Sequence, residues 1–165
     1  MAITRNITAT YRGPGRVVAS ILADQVREDR VLYFLITACV VIFIAQAPYQ
    51  SREAHLDDTV PFQARLYWSA FLWIFIFPLL MYALAGLVWL VSRVMPRAPS
   101  GYEIRVALFW ALLASTPIVL LLGLTAGLVG PGAAPQAVAL LWCGVFLWFW
   151  VAGTLAARHS ERRRI

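Results

Sequence analysis

Glu53, His55, Asp57 and Asp58 fall within the stretch SREAHLDDTV and stand closest to a metal-binding or acid–base set. One imidazole with three carboxylates has the oxygen-rich character that suits a divalent cation. The same stretch is also what a solvated polar loop looks like, and no metal is expected there. Other catalytic signatures are missing. The sequence has no H-E-x-x-H, no paired-cysteine zinc spacing, no P-loop and no G-x-S-x-G. A membrane alcohol phosphotransferase needs several spaced Asp residues on helix ends around a metal, and the acidic residues are too few for that. Cys39 and Cys143 both sit in apolar stretches, where free Cys behaves as a small hydrophobe, so no disulfide is expected. The chain is expected to be no enzyme and to carry no cofactor.

The basic residues are the second chemical resource. All 14 are arginines, giving a net charge of +6, and the exclusive use of Arg suits a GC-rich bacterial genome. They flank apolar runs and form no stripe with interleaved aromatics, so nucleic acid is not an expected partner. Arg93, Arg97 and Arg105 in the middle of the chain, and Arg162, Arg163 and Arg164 at its end, are candidate contacts for anionic lipid headgroups. Each such Arg is worth about 1 kcal/mol near the surface.

The elements that must position these groups follow from composition. Of the 165 residues 61% are hydrophobic and only 13% charged, against about 25% charged in soluble domains, which marks an integral membrane protein. Four uncharged runs cover 31–48, 66–92, 106–130 and 136–157. A bilayer core needs about 20 residues of helix, so each run is an expected span. A β-barrel would instead show short alternating segments. The expected fold is all-α: a four-span helical bundle over 31–157, preceded by a tail (1–15) and an amphipathic segment (16–30), and followed by a basic tail (158–165). No signal peptide is visible. Twelve arginines fall on one side of the spans, while Arg52 and Arg65 alone fall on the other. The positive-inside rule then puts both termini in the cytoplasm, with the spans in a bacterial inner membrane.

Within these elements four features stand out. Val17, Val18, Ile21, Leu22 and Val26 recur at helical spacing, which predicts a helix lying flat in the interface or packed under the bundle. Pro117 interrupts the third run and removes the hydrogen bond to the Leu113 carbonyl, while the hydroxyls of Ser115 and Thr116 stand ready to bond back to the preceding turn. Pro78 has no such neighbours and is expected to lean on an adjacent helix. Ala107, Ala111, Ser115, Gly123 and Gly127 recur at four-residue intervals, predicting a strip of close helix packing. Trp142, Phe146, Phe149 and Trp150 form an aromatic wall on the fourth run, a candidate face for a partner. No span contains an ionisable residue, which argues against a proton-coupled transporter or ion pump.

The stretches RVVASILADQ and SGYEIRVALFWALLASTP, with the succession of spans, resemble bacterial Yip1-domain membrane proteins. The matching residues are Gly101, Tyr102 and Pro117, and the likeness extends from about Arg16 to Leu155. It implies a membrane protein without established enzymatic activity. Eukaryotic Yip1 relatives bind small GTPases, but their acidic-Leu-Tyr-Gly-Pro signature is missing and only four spans are clear, so that activity is not carried over. The leading expectation is a non-enzymatic protein that binds membrane lipids, another integral membrane protein, or itself. An accessory subunit of a respiratory or photosynthetic complex is the alternative, and a small transporter or lipid-modifying enzyme is a distant third.

Overall fold

The computed structural model describes residues 3–24, 26–57, 59–94 and 98–160, and every regular element among them is helical. Two short helices, α1 (Ile3–Thr10) and α2 (Pro14–Ala23), precede the 29-residue α3 (Glu28–Leu56). Next, α4 (Phe62–Ala70) passes through a π-helical stretch (Phe71–Ile76) into α5 (Phe77–Ser92). α6 (Gly101–Ala114) and α7 (Thr116–Leu128) meet at a 43° bend, and α8 (Ala133–Ser160) follows. Three segments are long and apolar enough to cross a membrane: Glu28–Leu56, Phe62–Ser92 and Ala133–Arg158; the bent pair α6–α7 adds a fourth if it counts as one span.

The packing partners fix the directions of these helices. Glu28 pairs with Arg105, Phe34 meets Trp110 at a ring separation of 5.0 Å, Ala45 faces Gly123 and Pro48 faces Gly127. The offset between partners stays nearly constant on both sides of the bend, so α3 runs parallel to α6 and then to α7. Tyr82 against Phe109 and Trp89 against Gly101 make α5 antiparallel to α6. Trp142 on Ser115 and Gly153 beside Ala107 do the same for α8. The starts of α3 and α6 and the ends of α5 and α8 therefore lie together at one end, with Arg27, Arg30, Arg93, Arg105 and Arg158. Arg52 and Arg65 lie at the other.

α6 is the centre. Every residue from Val106 to Thr116 is buried, as expected for a helix that is apolar all round and enclosed by other helices. Its start is fixed by a capping box: Ser100 Oγ accepts from the Glu103 N–H, and Glu103 Oε2 accepts from the Ser100 N–H. The S-x-x-E pattern before an apolar run is its sequence signal, which the expected start at Val106 overlooks.

Several boundaries differ from expectation. α3 continues through Pro48 to Leu56 and does not stop at the proline, whose ring packs on Gly127. The amphipathic helix covers Pro14–Ala23, with Pro14 at its first position, where a missing N–H costs nothing. Residues 28–30 belong to α3. The tail 1–15 contains α1, which packs on α2 and α6. Pro78 is buried, and the turn before it widens, with the Phe77 N–H bonded to Leu72 O. Such π-turns absorb local strain within a helix.

Candidate functional site

The Pro117 break is closed locally. Thr116 Oγ1 donates to Leu113 O at 2.8 Å, the carbonyl that Pro117 cannot pair, and Ser115 Oγ donates to Leu112 O at 2.9 Å. Ser115 Oγ also accepts from Trp142 Nε1 at 3.1 Å, tying the bend to α8. Beyond the bend, a Cβ on Gly123 would lie 1.8 Å from Ala45 O, and one on Gly127 would lie 2.5 Å from the Pro48 side chain. Only glycine allows α3 and α7 to approach this closely.

The small residues do not share one face. Ala107 faces Gly153 of α8, whereas Gly123 and Gly127 face α3; Ala111 is fully buried between them. A four-residue step advances an α-helix by about 400°, so the strip drifts by about 40° each time and reverses over the four steps from Ala107 to Gly123. The aromatic wall divides as well. Trp142, Phe146 and Trp150 stack at 5.8 and 6.1 Å and are half-buried. Phe149 is buried inside the chain, with Tyr11 set edge-on at 5.0 Å. It is no part of a free face.

At the arginine-rich end a cleft of about 380 Å³ opens between α5 and α6. Tyr82, Trp89 and Tyr102 wall it, Arg105 lies at its edge, and Gly86 gives it depth, since a Cβ there would meet nothing within 4 Å. Arg93 stacks its guanidinium 4.8 Å over the Trp89 ring, a cation–π contact. Arg105 Nη2 pairs with Glu28, while its Nε is buried and makes no hydrogen bond among the described residues. The Tyr102 hydroxyl accepts from the Arg27 N–H at 3.3 Å, anchoring the α2–α3 connection beside the cleft. Arg27 pairs with Asp29 at 2.8 Å, and this hydrogen bond holds Arg27 above its ordinary range. Arg97, Arg162, Arg163 and Arg164 lie outside the described residues.

The opposite loop is organised around its own charges. Asp57 accepts from the Thr59 hydroxyl at 2.6 Å and the Thr59 N–H at 3.1 Å, and pairs with Arg65 at 2.8 Å. The Thr59 hydrogen bonds, then Arg65, hold its carboxyl below the usual range. Among the described residues no three of His, Cys, Asp and Glu gather as metal ligands, and Asp58 lies outside them. Arg52 extends along the end of α7, with Nη1 donating to Gly127 O at 3.4 Å. Cys39 and Cys143 are both free.

Aromatic walls, a stacked guanidinium and apolar helix sides can hold an amphiphile. Fold and site together define an all-helical, multi-pass membrane protein. No family model, curated protein or solved structure matches the chain.

Proposed function

We infer that the chain crosses a bacterial inner membrane four times with its arginine-rich end in the cytoplasm, and that it works without catalysis by binding anionic lipid there. The α5–α6 cleft carries this reading. Its apolar sides suit the upper acyl chain, and Arg93 and Arg105 supply the charge-assisted donors that a phosphate accepts. The near-constant pairing of α3 with both α6 and α7 supports counting the bent pair as one span. A Yip1-type assignment, resting on Gly101, Tyr102 and Pro117, belongs to the same proposal. The α2 stripe adds support for a helix packed under the bundle, because Val17, Val18, Ile21 and Leu22 are buried against protein.

Gly86→Leu tests the cleft, because it fills the space without meeting backbone. Native mass spectrometry of the purified protein with phosphatidylglycerol should show several-fold weaker lipid retention in this variant at an unchanged melting temperature. Equal retention in both proteins would discard the cleft as the lipid site.

Self-association or docking to another membrane protein is a second reading, favoured by the α4–α5 face. Tyr67, Trp68 and Leu79 along it are 70 to 76% exposed.

A further inference from the structure

The α1–α2 hairpin holds a charged cleft that neither the lipid site above nor the helix packing uses. Arg5, Thr8 and Arg12 lie on one face of the chain leaving α1, at spacings of three and four residues. The turn at Tyr11–Gly13, closed by Arg12 and Gly13 N–H groups on Ala9 O, brings Arg16 of α2 to the same side. Together they line a cleft of about 440 Å³. Arg16 folds over Gly13, its Nε lying 3.1 Å from where a Cβ would stand.

Arg5, Arg12 and Arg16 are exposed, and three guanidiniums lining one cleft make a positive field that draws an anion. The described carboxylates at this end are already engaged elsewhere: Asp24 with Arg30, Glu28 with Arg105, Asp29 with Arg27, and Glu103 in the Ser100 cap. Arg5, Arg12 and Arg16 have no ion pair among the described residues.

The hairpin's depth identifies the missing anion. Its tip is fastened to the bundle, with Thr10 Oγ1 accepting from Trp110 Nε1 at 3.1 Å and Tyr11 packed on Phe149. Trp110 lies five residues beyond Arg105, or about 7.5 Å along the helix. The hairpin therefore runs from the level of Trp110, at Thr10, back to that of Arg105, since Gly15 packs on Ala152 and Ala156 of α8 and Gly153 of α8 lies beside Ala107. Arg16 thus stands at the headgroup level that Arg105 marks, where phosphate is the concentrated anion, and the planar fork of Arg matches its oxygens.

We propose that the Arg5–Arg12–Arg16 cleft is a phosphate-binding site, filled by the phosphate of an anionic membrane lipid or by free phosphate. It is separate from the α5–α6 cleft and does not depend on it.

Native mass spectrometry of the full chain with phosphatidylglycerol and with phosphatidylcholine tests this. Replacing all three arginines (R5Q, R12Q, R16Q) should remove one bound phosphatidylglycerol that Gly86→Leu leaves in place. At about five-fold per Arg contact, the affinity of that site falls by roughly a hundred-fold. Calorimetry of the delipidated protein with inorganic phosphate separates the sources: saturable heat lost in the triple variant, without lipid retention, assigns the cleft to free phosphate. Phenylglyoxal labelling of the unaltered protein needs no variant, and phosphatidylglycerol or phosphate should shield Arg12 and Arg16 where phosphatidylcholine does not. Unchanged binding in the triple variant, or labelling indifferent to both anions, overturns the proposal.

Discussion

Thr116 shows what one hydroxyl does inside an apolar helix. Without it, the Leu113 carbonyl would face Pro117 with only the Ser115 N–H nearby, which is already bonded to Ala111 O, in a place where water cannot substitute. Thr116→Val keeps the shape and removes only the donor to Leu113 O. The expected loss is about 1 kcal/mol, read as a lower melting temperature in detergent, and an unchanged melting temperature would mean that another group satisfies this carbonyl. This repair is legible in the sequence, because donor, acceptor and proline all lie within one turn. The Ser115–Trp142 and Thr10–Trp110 hydrogen bonds are not, since they join residues 27 and 100 positions apart. Nothing in the local pattern around Trp110 distinguishes a buried tether from a tryptophan facing lipid.

Between elements, the decisive quantity is how closely backbones approach. The α3–α7 contact has room for hydrogen alone at Gly123, where a Cβ would lie 1.8 Å from a carbonyl oxygen, and a backbone atom cannot rotate aside. Gly123→Leu should therefore separate the helices and destabilise the fold by about 3 kcal/mol or more. Gly144→Leu, whose Cβ would meet nothing within 4 Å, should leave the melting temperature unchanged. Equal stability of the two variants would show that α3 and α7 do not touch at Gly123. The G-x-x-x-G spacing announces a close approach but not its partner, and a four-residue strip drifts until it serves two partners on opposite sides. The α2 stripe is ambiguous for a related reason. An amphipathic pattern tells which side avoids water, and lipid and protein are equally apolar covers for it. Likewise the aromatic wall of α8 reads as one surface in sequence, while the helix turns Phe149 inward and leaves Trp148 and Val151 outside.

For the whole molecule, the four apolar runs are the most legible feature, because continuous uncharged stretches about 20 residues long have few alternatives to a bilayer. Their number still depends on the bend at Ser115. A 43° break is compatible with a re-entrant loop that returns to its starting side, or with a bent crossing. The partners of α3 favour a crossing: one continuous 29-residue helix accompanies α6 past Phe34 and then α7 past Ala45 and Pro48, with no reversal of direction. Arginine placement agrees, since Arg27, Arg30, Arg93, Arg105 and Arg158 gather at one end, against Arg52 and Arg65 at the other. Those charges resist transfer across the membrane and orient the chain. A phosphatase that is active only outside the cytoplasm should therefore stay silent when fused after Ile165 and be active when inserted after Gly132, between α7 and α8. Activity at both positions would mean that α8 does not cross. Activity only after Ile165 would mean either a re-entrant α6–α7 with three crossings or four crossings in reverse, and a fusion after Val60, between α3 and α4, separates the two. It is active in the first case and silent in the second, which moves both arginine clefts to the outer leaflet.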